Sequence, residues 1–180
     1  MIVHLRVNLL DGFLPRPLQR ANEDIHSVIE NSLTLVRHQL NKQRVTVVRE
    51  FDTTLPTLWL DRARIEHVFV NLFLNAMQAM PSGGTITVRT FASTPGFSDN
   101  DVPGGVTVEI DDTGDGIMLE NAWKVSERFF TTKSPGLGTG LGLAIVRRIM
   151  EIHGGSIRLS NRNESGARAA LQFNTEPKER

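Results

Sequence analysis

The chain of 180 residues contains no cysteine, which excludes a disulfide framework and any cysteine-ligated metal site. It has no excess of charge of either sign, because 20 basic side chains balance 20 acidic ones, so the composition does not favour nucleic acid or an anionic membrane as a partner. It also lacks the roughly 20 consecutive apolar residues that span a bilayer and the apolar core and cleavage site of a signal peptide. We therefore expect a soluble, cytoplasmic domain with a full hydrophobic core.

Glycine is concentrated in one stretch, where it occupies every second position from Gly136 to Gly142 and leads into the apolar-periodic run 144–150. Exposed N–H groups that lead into a helix N-terminus favour negative charge, so the stretch indicates a phosphate-binding loop. A Walker A loop is excluded because no lysine follows the glycines, and a Rossmann loop because the preceding residues 129–135 read as a loop. A flexible linker before a helix is the alternative.

The remaining pattern predicts an α/β domain. Residues 1–20 look like the end of an apolar helix that Pro15 and Pro17 terminate. Spacing of apolar residues, turn residues and an Asp61 N-cap predict the other elements. These are helices over 21–41, 61–80, 119–124 and 140–153, and strands over 45–51, 58–60, 85–91, 106–110, 156–160 and 168–173, with a polar loop over 92–105. This order indicates largely antiparallel, hairpin-linked strands with helices on one face.

Three amide side chains share one face of the helix over 61–80, since Asn71, Asn75 and Gln78 are four and three residues apart. Helix interiors disfavour asparagine, so the pair needs an explanation. A solvated face is one interpretation. The functional one is that the amide oxygens bind a Mg²⁺ ion that bridges phosphate oxygens.

Two further segments carry candidate chemistry. Asp112 ends a strand and is followed by Gly114 and Gly116, so its carboxylate could accept a hydrogen bond from an amine such as adenine N6, with Ile117 packed on the ring. An ordinary Asp-x-Gly turn is the alternative. In residues 129–133, two adjacent phenylalanines in a loop must pack somewhere, and a lysine lies close to the glycine stretch.

The order of these motifs resembles the N, G1, F and G2 boxes of the sensor histidine kinase catalytic domain, in the GHKL superfamily. The matching segments are Asn71-x-x-x-Asn75-Ala76, Asp112-x-Gly114-x-Gly116, Phe129-Phe130 and Gly138-x-Gly140-x-Gly142. Residues 129–133 and 138–146 are most similar to the nitrogen-regulation type of two-component sensor kinase, and the resemblance covers residues 22–174. It implies the Bergerat fold, a two-layer sandwich in which a mixed, mostly antiparallel sheet lies under three helices, with ATP between the helices and a mobile lid.

The resemblance also implies the roles of individual residues. Asn75 would hold Mg²⁺ with help from Asn71, Asp112 would bind the adenine amine, and residues 119–137 would form the lid. Lys133 would meet the γ-phosphate, and the glycines would wrap the triphosphate. The implied ATP-binding residues are Asn71, Asn75, Gln78, Asp112, Gly114, Gly116, Ile117, Phe130, Thr132, Lys133, Gly138, Thr139, Gly140, Leu141 and Gly142.

The residue at position 71 separates activities within the superfamily. Gyrase B, MutL and the heat-shock chaperones carry a glutamate there, as the base for a water molecule, and so do the anti-sigma serine kinases. An amide cannot accept a proton at neutral pH, so Asn71 favours phosphoryl transfer to an acceptor over hydrolysis.

The phosphate acceptor is where the sequence departs from the family. None of the five histidines has the acidic neighbour and downstream proline of the family's acceptor box; His67 and His153 look structural, and Met118 replaces the usual proline. We therefore expect residues 1–20 to be a remnant of the dimerisation hairpin, residues 21–175 to be the catalytic domain, and residues 176–180 to be a tail. The implied partners are the dimerisation and phosphoacceptor domain and a response regulator, with the fragment itself a monomer or weak dimer. A GHKL-type ATPase and a nucleotide-binding module without transfer activity are the rival hypotheses.

Overall fold

The computed structural model describes residues 17–93, 105–116 and 141–175. Within these ranges three helices and seven strands follow one another along the chain. In order they are β1 (Ala21–Glu23), α1 (Ile25–Lys42), β2 (Val45–Phe51), β3 (Leu58–Leu60), α2 (Arg62–Gln78), β4 (Gly84–Ala92), β5 (Val106–Asp112), α3 (Leu141–Ile152), β6 (Ser156–Asn161) and β7 (Ala167–Phe173).

Five of the strands form the main sheet in the order β2-β4-β5-β7-β6. Strands β2 and β4 are parallel, and every other neighbouring pair is antiparallel. The parallel pair is connected through β3 and α2, as a parallel connection requires a crossover. The predicted mixed, mostly antiparallel sheet and the hairpin of β6 and β7 are confirmed.

The core lies between this sheet and the helices, because alternate residues of the central strands face one way. Val106, Val108 and Ile110 of β5 are almost fully buried, and so are Leu171 and Phe173 of β7. Helices α1, α2 and α3 contact β2, β5 and β6 respectively. Their buried residues belong to one hydrophobic cluster with the inward-facing residues of the strands, so the helices cover a single face. This is the two-layer α/β fold that the sequence predicted.

The start of α1 differs from the prediction of a helix from residue 21. Residues 21–23 form β1, which pairs antiparallel with β3 in a separate two-stranded sheet. The helix begins only at Ile25, after Asp24 caps it by accepting a hydrogen bond from the backbone N–H of His26 at 3.0 Å. Helix α2 is capped in the same way by the predicted Asp61, whose carboxylate accepts from the N–H of Arg64.

Helix α3 ends in a Schellman motif. The N–H of Gly155 bonds the carbonyl of Met150 at 2.9 Å and the N–H of Gly154 bonds that of Glu151 at 3.0 Å. Gly154 has a φ of +73°, a left-handed conformation that glycine adopts at little cost. Among the residues that the structure describes, no helix is long and apolar enough to span a membrane.

Candidate functional site

Asp112 is the last residue of β5 and lies on the face of the sheet that the helices cover, in phase with Ile110. It is only 7% exposed. Its Oδ1 atom accepts hydrogen bonds from the backbone N–H groups of Gly114 at 2.8 Å and Ala167 at 3.2 Å. Within the described part of the chain no group donates to Oδ2, so this oxygen can accept a hydrogen bond from a ligand.

The electrostatics of Asp112 favour a ligand that donates a hydrogen bond. Burial raises the pKa of this carboxyl group, while the N–H groups of Gly114 and Ala167 and the charge of Arg162 act in the opposite direction. A ligand N–H group at Oδ2 would compensate for part of the lost hydration. The predicted contact with an exocyclic amine is therefore chemically compatible with this site.

The segment after Asp112 lies directly on the C-terminal end of α2. A Cβ atom on Gly114 would lie 2.4 Å from the carbonyl oxygen of Ala79, so only glycine allows this approach. The hydroxyl of Thr113 accepts from the N–H of Thr85 at 3.0 Å, which fixes the segment to the start of β4. The carboxylate motif and the amide-bearing helix are therefore neighbours in space.

Gly166, which precedes β7, closes the other side of Asp112. Its φ is +88°, and a Cβ atom there would lie 1.9 Å from the carbonyl oxygen of Asp112. The predicted connection between the strands over 156–160 and 168–173 includes Gly166, which is not among the predicted site residues. Only the glycine itself was a signal, because glycine is favoured where a turn needs a positive φ or where the backbone approaches another group closely.

The amide side chains of α2 lie on the face of the helix that the core leaves partly open. Asn71 and Asn75 are both partly buried, and Gln78 is exposed. The Nδ2 atom of Asn71 donates to the carbonyl of His67 at 3.0 Å. A Cβ atom on Gly142 would lie 3.3 Å from the Oδ1 atom of Asn71. The first turn of α3 is therefore packed beside Asn71. In the described ranges the Asn75 amide has no hydrogen-bond partner.

This face fits a magnesium ion that keeps most of its waters. Amide oxygens are hard ligands of the type Mg²⁺ accepts, and the ion needs only one or two protein ligands when phosphate oxygens complete its shell. No group of three or more histidine, aspartate or glutamate side chains is arranged to hold a metal in the ranges described above. Asn75, with Asn71 one turn earlier, is the candidate ligand pair on this face.

Seven of the predicted nucleotide contacts cannot be placed in this site, because they lie outside the described residues, as does the predicted helix over 119–124. Of Leu141, the structure gives only its position as the first residue of α3. The seven are Ile117, Phe130, Thr132, Lys133, Gly138, Thr139 and Gly140.

Two of the histidines have structural environments. His153 is partly buried; its Nδ1–H donates to the carbonyl of Ile149 at 2.7 Å, and its Nε2 accepts from the N–H of Asp61 at 3.1 Å. The contact in which Nε2 accepts requires the neutral imidazole, and burial lowers the pKa of His153. The ring of His26 stacks on Phe51 with centroids 4.5 Å apart. These contacts support the structural role predicted for His153.

The second feature that sequence reasoning missed is Asp111, which precedes the candidate carboxylate. It is 1% exposed and forms ion pairs with Arg89, Arg162 and Arg168 on the side of the sheet away from the helices. The available signal was the pair of adjacent acids at a strand end, since alternation sends one of them to each face.

Comparison with known proteins shows that the chain is similar to sensor histidine kinases. The family described as histidine kinase-, DNA gyrase B-, and HSP90-like ATPase matches residues 60–177. The chain is 36% identical to sensor histidine kinase ZraS of Escherichia coli O157:H7 over 163 residues, which are 91% of this chain and 33% of ZraS. It is 34% identical to the sensory histidine kinase/phosphatase NtrB of Azospirillum brasilense, across 86% of this chain and 40% of NtrB.

Solved structures agree in fold. The catalytic domain of histidine kinase ThkA has a TM-score of 0.73 and 28% identity, with 88% of this chain and 99% of that domain covered. A structure of ThkA in complex with the response regulator protein TrrA gives a TM-score of 0.72 at 27% identity, with 89% of this chain and 43% of that one covered. The chain spans about a third of the length of the ZraS relative that it matches.

Proposed function

The chain belongs to the histidine kinase-, DNA gyrase B-, and HSP90-like ATPase family, and from this premise we propose that it is the ATP-binding catalytic domain of a two-component sensor histidine kinase. It would transfer the γ-phosphate of ATP to a histidine on a dimerisation helix of the parent kinase. The observation that carries the proposal is the buried carboxylate of Asp112, whose Oδ2 atom is open to a ligand and whose following residues pack on the amide-bearing helix.

The proposed contacts divide between the two ends of the nucleotide. Asp112 accepts a hydrogen bond from the adenine amine, and the close approach at Gly114 and the left-handed Gly116 keep side chains away from the ring. Asn75 and Asn71 hold Mg²⁺, which neutralises phosphate charge when bound. The phosphate and lid contacts proposed for the other end rest on the resemblance of residues 117–141 to the family.

Transfer is favoured over hydrolysis by the chemistry of position 71. The Asn71 amide donates to the His67 carbonyl and turns its oxygen towards α3, so it offers no group that could take a proton from water. The neutral, doubly hydrogen-bonded His153 is not free to act as an acceptor. The protein's contribution is then to position the donor phosphate for attack by an imidazole of another segment.

The proposed partners follow from this chemistry. The chain would act on the dimerisation and phosphoacceptor domain of its parent kinase, and the phosphorylated domain would serve a response regulator, as the complex of ThkA with TrrA suggests by analogy. We place the domain in the cytoplasm, where ATP is available, and propose that on its own it is a monomer or weak dimer.

A phosphotransfer assay tests the function directly. The chain is mixed with its own dimerisation hairpin and radiolabelled ATP, alongside an Asn75→Ala variant and an Asn41→Ala variant as the matched control, since Asn41 is exposed on α1. We expect acid-labile label on the hairpin with the parent chain and the control, and almost none with Asn75→Ala. An unlabelled hairpin despite ATP binding would indicate a module without transfer activity. Steady release of phosphate by the chain alone would indicate an ATPase.

A further inference from the structure

Asp111 is a buried charge on the side of the sheet opposite to the candidate site. Its side chain is 1% exposed, and its Oδ1 accepts from Arg168 Nε at 2.7 Å while its Oδ2 accepts from Arg168 Nη2 at 2.8 Å and from Arg89 Nη1 at 2.6 Å. Two guanidinium groups therefore satisfy the carboxylate, and they hold its pKa below the usual range against the effect of burial. These two ion pairs fix the end of β5 in place.

A third guanidinium, that of Arg162, connects this cluster to the candidate site. Its Nε atom lies 3.5 Å from Asp111 Oδ2, and its Nη1 donates to the backbone carbonyl of Asp112 at 2.8 Å. The same Nη1 lies 3.3 Å from the carbonyl of Ser165, and the backbone N–H of Arg162 bonds the carbonyl of Gly166 at 3.0 Å. Arg162 therefore joins the turn between β6 and β7 to the end of β5.

The turn between β6 and β7, which Arg162 holds in place, directly contacts the Asp112 carboxylate. Immediately after Gly166, the N–H of Ala167 donates to Asp112 Oδ1 at 3.2 Å. This bond, with the one from Gly114, sets the rotation of the Asp112 carboxyl group and so the direction in which Oδ2 points. A shift of the turn would rotate that oxygen without any change in the residues that face the ligand.

We propose that Asp111 and Arg162 are positioning residues for nucleobase recognition: Asp111 anchors Arg162, and Arg162 orients Asp112 towards the amine of the purine. The inference rests on the proposed function, because it takes Asp112 as the group that accepts from the adenine amine. Specificity for the exocyclic amine is then set by an ion-pair cluster on the face of the sheet opposite to the nucleotide.

The experiment compares two nucleotides and four proteins by isothermal titration calorimetry in the presence of Mg²⁺. The nucleotides are ATP and purine riboside triphosphate, which lacks the exocyclic amine. The proteins are the parent chain, Asp111→Asn, Arg162→Gln and the matched control Glu109→Gln. Glu109 lies two residues earlier on the same face of β5 and contacts Arg168 at 3.3 Å, but no hydrogen bond within the described ranges links it to Asp112.

We expect the parent chain and Glu109→Gln to prefer ATP, and both positioning variants to lose about tenfold in affinity for ATP, as expected when a hydrogen bond to a charged group is misaligned. Their affinity for the analogue should change less than about twofold, because the analogue never made the amine contact. A variant that merely loosened the fold would weaken both nucleotides equally, and that result would overturn the proposal.

The other outcomes are also decisive. If the parent chain binds both nucleotides equally well, the amine contact of Asp112 is wrong, and the proposal that depends on it fails before any variant is examined. If the parent chain prefers ATP and both variants keep the same ratio of affinities for ATP and the analogue, the proposed function stands and the positioning role is refuted. Thermal melting accompanies each titration, and if Asp111→Asn does not fold, Arg162→Gln decides the question, because its side chain is 23% exposed and lies at a turn.

Discussion

Replacing Gly166 by alanine should separate backbone strain from damage to the nucleotide site, because a second glycine provides a matched comparison. Gly166 and Gly154 have similar left-handed φ angles of +88° and +73°. An alanine in this region costs about 1–2 kcal/mol at either position. The surroundings differ: a Cβ on Gly154 meets only the side-chain nitrogen of Asn174 at 3.9 Å, whereas one on Gly166 would lie 1.9 Å from the Asp112 carbonyl oxygen.

The close contact at Gly166 determines how much more stability Gly166→Ala loses than Gly154→Ala. A Cβ at Gly166 is short of an ordinary contact distance by about 1.5 Å, and its neighbour is backbone within the sheet, so the start of β7 or the end of β5 must move. Displacements of this kind cost about 1–3 kcal/mol. We therefore expect Gly166→Ala to lose about 2–5 kcal/mol of unfolding free energy and Gly154→Ala only about 1–2 kcal/mol.

The same displacement should also weaken ATP binding. It separates the Ala167 N–H from Asp112 Oδ1, now 3.2 Å apart, so we expect the Kd for ATP to rise about tenfold in Gly166→Ala and less than about twofold in Gly154→Ala. Urea unfolding followed by tryptophan fluorescence measures the stability, and calorimetric titration measures the affinity. Equal losses of stability in the two variants, with unchanged ATP affinity in both, would refute the reasoning.

Three further predictions concern other parts of the molecule. Gly114→Ala should weaken ATP binding about tenfold or more by pushing the segment off Ala79, and calorimetry that finds parent-like affinity would contradict it. Burial lowers the pKa of His153, so the folded state binds this proton more weakly than the unfolded chain. The free energy of unfolding should therefore fall as the pH drops from about 7.5 to about 5.5, and His153→Gln should show a smaller fall in urea titrations at the two pH values. Phe69→Ala, at a fully buried position, should cost about 3–5 kcal/mol in the same assay, whereas Leu35→Ala, at a position 60% exposed, should cost less than about 0.5 kcal/mol.

The strands of the main sheet could be predicted because apolar side chains on the face towards the helices alternate with polar ones on the other face. The valines of β5 and the isoleucine and valine of β4 face the helices, and hydrophobicity of period two is sufficient to identify such a strand. Strand β1 was missed for the opposite reason. Its three residues have no alternation, and only their pairing with Leu58–Leu60 makes them a strand, so neighbouring helical spacing absorbed them into the predicted helix.

In the candidate site, the sequence indicated groups that are close along the chain and missed those that tertiary structure brings in. Asp112 and Gly114 are two residues apart, and the amides of α2 lie one turn apart, so spacing alone connected each set. Arg162 reaches the Asp112 carbonyl across 50 residues of sequence, and the position of Gly166 follows from the register of β5 against β7. That register is set by packing of the whole sheet, and short-range patterns do not contain it.

Two contacts near the start of the described residues fix Gln19 and Arg20 to one end of the helical layer. The N–H of Gln19 bonds the Asp61 carboxylate at 3.0 Å, at the beginning of α2, and the guanidinium of Arg20 donates to the carbonyl of Ile152, at the end of α3. Asn75 lies at the other end of α2, roughly 20 Å away along the helix axis at 1.5 Å per residue. The contacts of Gln19 and Arg20 therefore lie at the end of the helical layer away from Asn75, and they leave the candidate metal ligands untouched.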